Sequence, residues 1–191
     1  MGIIKSAYEL AMERTEDIKI DKESVAAANR RESGMRLISS FLNGDKEIKA
    51  ISKELSQYDK KEVSDLKEGI LKVLLANISI TETGADKDRL QKVKDAFQNL
   101  GSKHSAELVE QLIDFIDQYA ENKKKIRDSL AEQYEPTLRR KEQEIQSQTG
   151  TAIRLQPEQD PEFVKILQSN YSKMRAQYDQ ALKQAKSELK I

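Results

Sequence analysis

The 191-residue sequence contains no cysteine, no tryptophan, one histidine and three prolines, and its seven glycines are scattered. Without cysteine there is no disulfide, no thiolate metal ligand and no cysteine nucleophile. The scattered glycines form no phosphate-cradling loop. His104 has no partner in a Glu-x-x-His or His-x-x-x-His pair, so it offers no metal site. A lone histidine without an orienting carboxylate is read as an exposed or capping residue at a helix junction. The stretch from Thr81 to Asp88 holds three acids, but their spacing is not that of a calcium loop. Glu142 and Glu144 are two apart on a helix and point to different faces, so they form no carboxylate pair. A non-catalytic protein with no cofactor and no metal is expected.

Long apolar runs are also missing. None approaches the roughly 20 residues that a bilayer-spanning helix requires. The N-terminus lacks an apolar stretch followed by a cleavage site, so a cytoplasmic protein is expected. Met1-Gly2 with Ser6 fits an N-myristoylation pattern, but the pattern is loose, and residues 3–14 read more simply as an amphipathic helix docking on a core.

What the chain has in abundance is charge: 33 basic and 33 acidic residues, for a net of zero. That balance gives no global pull toward nucleic acid or an anionic membrane. Hydrophobic residues are only 37%, low for a compact body of this size, whereas plentiful Glu, Lys, Gln, Leu and Ala favour elongated helices. The fold class is therefore all-α.

In chain order, Thr15 to Ile20 reads as a linker, and a helix follows from about Asp21 to Asn43. Gly34 inside it costs about 1 kcal/mol relative to alanine, and Gly44 ends it. Asp45 is expected to cap a short helix carrying Ile48, Ile51 and Leu55. Asp59 caps the most apolar helix, with Val63, Leu66, Ile70, Leu71 and Leu74, which should be central to the core. Ile78 and Ile80 suit a brief extended turn, and Thr81 to Ala85 a loop. Another helix spans Asp86 to Leu100 and closes at Gly101. The next begins near Ser105, with a wide apolar face up to Tyr119.

After Tyr119 the apolar residues thin and charges fill the gaps. This predicts a helical bundle core over residues 1–118 and a C-terminal antiparallel coiled-coil hairpin arm over 119–191, with its turn near 148–160. Tyr119 to Ser147 and Phe163 to Ile191 each span 29 residues, or about 43 Å of helix. Val164, Leu167, Tyr171, Met174, Tyr178, Ala181 and Ala185 follow the alternating three- and four-residue steps of a heptad seam. A single register pairs Phe163 with Ile145, Met174 with Tyr134, Tyr178 with Leu130, Leu182 with Ile126 and Leu189 with Tyr119. Pro136 removes one helical hydrogen bond and predicts a kink or break. The alternative is pairing of the last helix with its copy in a homo-oligomer.

Two surfaces are candidates for function. Ile153, Arg154 and Leu155 lie in the turn, where apolar residues either meet a partner or close the hairpin. Lys123, Lys124, Lys125, Arg139, Arg140 and Lys141 form two basic clusters able to contact phosphates. Six acids interleave with the seven basic residues between 121 and 144, so a solvated, ion-paired face is the simpler reading of those clusters. The function expected is protein–protein interaction or scaffolding through helical surfaces, with a partner the sequence does not identify. Nucleic-acid binding through the basic clusters is the alternative.

Overall fold

The structure, a computed structural model, describes residues 22–81 and 86–191. The expected N-terminal helix, the Met1-Gly2 pattern, the Thr15–Ile20 linker and most of the Thr81–Ala85 loop lie outside those residues. Regular structure among the described residues is helical: six α-helices and one 3-10 turn, without a strand. No helix among them is long and apolar enough to cross a membrane. The chain divides into two compact units between Val73 and Leu74.

The first unit holds α1 (Lys22–Asn43), α2 (Ile48–Leu55) and most of α3 (Lys60–Asn77). Gly44, at φ 90°, ends α1 in the left-handed conformation that glycine favours. Its N–H donates to the Phe41 carbonyl at 2.9 Å, and the Asp45 N–H donates to the Ser40 carbonyl at 2.8 Å. These are the two bonds of a Schellman stop. Asp45 is thus part of the exit from α1, and it does not cap α2. That helix starts at Ile48, with Glu47 in the cap position and no side-chain cap. Asp59 does cap α3, its carboxylate accepting from the N–H groups of Lys61 and Glu62 at 2.9 Å each. Ile38, Leu42, Ile51, Leu55, Leu66 and Ile70 are buried.

Gly34 has a use that offsets its low helix propensity. A Cβ on Gly34 would stand 2.1 Å from the Leu66 carbonyl oxygen of α3, and a Cβ on Gly69 would stand 1.9 Å from the Arg31 carbonyl oxygen of α1. The two backbones touch, and only glycine fits at either position. Ion pairs flank the crossing: Arg30 with Asp65 and Arg31 with Glu68, both at 2.7 Å.

In the second unit, α4 (Lys87–Leu100) is capped by Asp86, which accepts from the Arg89 N–H at 3.1 Å. Ser102 caps α5 (Lys103–Thr149) by accepting from the Ser105 N–H at 3.1 Å. The two helices run antiparallel, with Lys94 paired to Glu110 at 2.7 Å and Lys87 to Asp117 at 3.1 Å. Between them they bury Leu90, Val93, Phe97, Val109, Leu112 and Ile116.

The 47 residues of α5 make about 70 Å of helix. It runs unbroken past residue 119 and through Pro136, where the expected break does not occur. Pro136 is exposed, so the carbonyl it leaves without a helical partner faces water. Gly150 closes the helix at φ 71°. One 3-10 turn (Pro157–Gln159) precedes α6 (Pro161–Glu188).

The second unit shows α6 lying antiparallel to α5 of the same chain, in a register eleven residues away from the expected one. Phe163 meets Tyr134, not Ile145, with ring centroids 5.4 Å apart. Tyr178 stacks on Phe115 at 4.4 Å and meets the edge of Tyr119 at 5.2 Å. Near the end, the Ser105 hydroxyl donates to the Lys190 carbonyl at 2.9 Å. The cause is the turn. Residues 151–160 do not feed straight into α6 but run back along α5 first. The Leu155 N–H donates to Glu142 at 2.7 Å, and Arg127 donates to Glu158 at 2.8 Å. Leu155 packs beside the buried cluster of Tyr134, Leu138 and Phe163.

The buried face of α6 also differs from a heptad. Phe163, Met174, Leu182 and Leu189 are buried, Leu167, Tyr171, Tyr178 and Ala185 are half-buried, and Ala181 is exposed. These steps of 4, 4 and 3 repeat every 11 residues. That is 3.67 residues per turn, closer to a straight helix than the 3.5 of a heptad.

Candidate functional site

Half of the two basic clusters of α5 is engaged by local partners, and half is exposed. Lys141 donates to Asp160 at 2.6 Å and to Glu162 and the Tyr134 hydroxyl at 3.3 Å each. Asp160 is only 7% exposed and also caps α6, accepting from the Glu162 N–H at 2.9 Å. The Lys141 ammonium holds the Asp160 carboxyl below the usual carboxylate range, and Asp160 in turn raises the pKa of Lys141. Burial pushes the Tyr134 hydroxyl up. This cluster fastens the start of α6 to α5. Arg139 pairs with Glu135 one turn away. The ammonium of Lys123 lies 5.1 Å from the centre of the Tyr171 ring. Lys124, Lys125 and Arg140 are exposed.

Ile153, Arg154 and Leu155 line a cleft of about 640 Å³ with Glu132, Glu135, Leu138, Arg139 and Glu142. Their roles divide. Leu155 covers the Tyr134–Leu138–Phe163 cluster, while Ile153 remains 38% exposed. His104 is exposed in the first turn of α5. Among the described residues no three His, Asp or Glu side chains converge as metal ligands.

Two further clefts lie along α6, and sequence reasoning did not single them out. One, about 380 Å³, is lined by Tyr119, Lys123, Tyr171, Ser172, Arg175 and Asp179. The other, about 250 Å³, is lined by Ser79, Ile80, Arg175, Asp179, Lys183 and Lys186. Arg175 and Asp179, paired at 2.9 Å, belong to both. The signal for them was the run Tyr171, Arg175, Asp179, Lys183, Lys186, whose spacing puts one face of a helix in line. It is not apolar, so a search for a buried seam passes over it.

Comparison with curated proteins found no match, and comparison with solved structures found none. The family that does match covers residues 52–191, from the end of α2 through the whole second unit. The chain belongs to the family of unknown function DUF6657.

Proposed function

We propose that this protein is a non-catalytic interaction or scaffolding protein of the cytoplasm that works through the coiled-coil-like surface of the α5–α6 pair. One observation carries the reading: the two clefts along α6 share Arg175 and Asp179 and so lie side by side on one stretch of the helix. From Tyr171 to Lys186 they extend over about 22 Å of helix. Adjacent open clefts over that length form a groove-like surface that suits an extended partner more than an enclosed small molecule. The exposed Ile153 at the turn offers a second contact. Nucleic-acid binding through residues 123–125 and 139–141 has less support, because Lys141 and Arg139 are already paired with carboxylates.

Gentle size fractionation of native extract tests the reading, with lysine-directed cross-linking and mass spectrometry on the same fractions. The 21.8 kDa chain is expected in a larger complex, cross-linked to another protein through α5 and α6. Elution as a free monomer with no intermolecular cross-link would contradict it.

A further inference from the structure

The face that α6 turns to α5 repeats every 11 residues: Phe163 recurs as Met174, Leu167 as Tyr178 and Tyr171 as Leu182. Eleven residues are three helical turns to within about 20°. Sliding α6 by that length toward the turn, about 16 Å, therefore returns the same face to α5. Apolar residues again meet apolar residues. Phe163 reaches Ile145, Met174 replaces Phe163 at Tyr134, and Leu189 replaces Tyr178 at Tyr119. A slide of about seven residues is equally close to whole turns, but it sets Asn170 against Tyr134. The last turns of α5 leave room for the longer slide, because α6 begins only beside Tyr134 and Lys141.

Residues 151–160 hold the observed register by three polar ties: the Leu155 N–H to Glu142, Arg127 to Glu158, and Lys141 to Asp160. The Arg127–Glu158 pair is solvent-exposed, and such pairs hold weakly. At its other end α6 finishes with Lys190 bonded to Ser105 and Ile191 against Gly101, where α4 meets α5. We propose that the α5–α6 hairpin is a two-register device. Residues 151–160 are the strap that holds the observed register, and release of the strap lets α6 slide by its own repeat, withdrawing Lys190 and Ile191 from Ser105 and Gly101. The two registers are discrete, because intermediate slides lose the apolar matching. The observed one also keeps the stack of Tyr178 on Phe115, so it prevails while the strap is fastened. A pull on the turn is thereby transmitted along the whole of α5, whatever binds the chain.

The test places spin labels on the full chain at Ser147→Cys and Ser172→Cys, both exposed positions. Pulsed electron paramagnetic resonance reads their separation, with unlabelled chain in excess so that only intrachain distances count. With Phe163 at Tyr134, residue 172 lies opposite residue 125. The labels are then about 33 Å apart along the axis, and about 16 Å apart after the slide. The parent chain should show the long distance. Arg127→Ala/Lys141→Ala/Glu142→Ala loosens all three ties and should add the short one as a second peak. A second variant replaces residues 151–159 by Gly-Ser. Its four remaining Cα steps span about 14 Å at most, whereas α6 starting beside Tyr134 needs about 20 Å or more. It should show the short distance alone, and circular dichroism should find its helix retained. Three results overturn the proposal: only the long distance in the tie-free variant, a continuous spread there without a second peak, or no short distance in the shortened-turn variant.

Discussion

Gly34 and Gly69 are reciprocal: each sits where the other's helix presents a backbone carbonyl, three residues before its own glycine. A methyl group at either would come within 2.1 Å of the Leu66 oxygen or 1.9 Å of the Arg31 oxygen. Alanine raises helix propensity by about 1 kcal/mol, yet here it must drive two backbones apart. Overpacking of this kind costs about 1–3 kcal/mol. Gly34→Ala and Gly69→Ala should therefore lower the urea midpoint, although each is the better helix former. A stabilised Gly34→Ala would mean that the helices do not touch there.

Asp160 combines a helix cap with the partner of Lys141, and two substitutions separate these roles. Asn retains a capping oxygen but not the charge, whereas Ala removes both. The melting temperature should fall in the order wild type, Asp160→Asn, Asp160→Ala. The folded-state pKa of Asp160 is depressed. Its contribution is therefore present above the unfolded value of about 3.9 and is lost as pH falls through the folded value. Lys141 is raised, so its contribution is complete below about pH 10.4 and is lost as pH rises through the folded value. The gap between wild type and Asp160→Asn should stay level from about pH 5 to 9 and close in stronger acid. A gap that opens as pH falls would contradict the pairing.

Phe163 is wholly buried against Tyr134 and Leu138, while Ile153 in the same region is 38% exposed. Phe163→Ala should destabilise by about 3 kcal/mol or more, and Ile153→Ala by no more than about 0.5 kcal/mol. Chemical denaturation of both variants checks the contrast. Equal losses would place Ile153 in the packed cluster.

Pro136 interrupts the hydrogen-bond ladder of α5 on an exposed face without ending the helix. Pro136→Ala restores one backbone bond and relieves crowding at the Glu132 carbonyl, so it should stabilise by about 1 kcal/mol or more. A loss of stability would show that the proline ring packs against a neighbour.

Much of this fold could be read in the chain because its signals are local. Asp59, Asp86, Ser102 and Asp160 cap the helices that follow them, and Gly44 and Gly150 take positive φ at helix ends. A cap needs only its next three residues. The register of α6 could not be read in the same way, because periodic apolar positions align at several offsets. What fixes it is the path of residues 151–160 along α5, held by Glu142, Arg127 and Lys141. The glycine crossing was equally hidden, since the cost of Gly34 is local and its gain lies on α3. The groove along α6 escaped notice because its residues are charged, and charged residues on a helix ordinarily mean only solvent.

The absence of cysteine makes the central claim directly testable. That claim is that α6 returns along α5 of its own chain with Phe163 opposite Tyr134, which also places Leu130 beside Leu167 in the same packed cluster. Introduce Leu130→Cys and Leu167→Cys together, oxidise at low protein concentration, and read the products by intact mass and peptide mapping. The structure predicts an intrachain disulfide at monomer mass. A disulfide-linked dimer, or efficient closure in the Leu130→Cys/Tyr178→Cys pair instead, would contradict it.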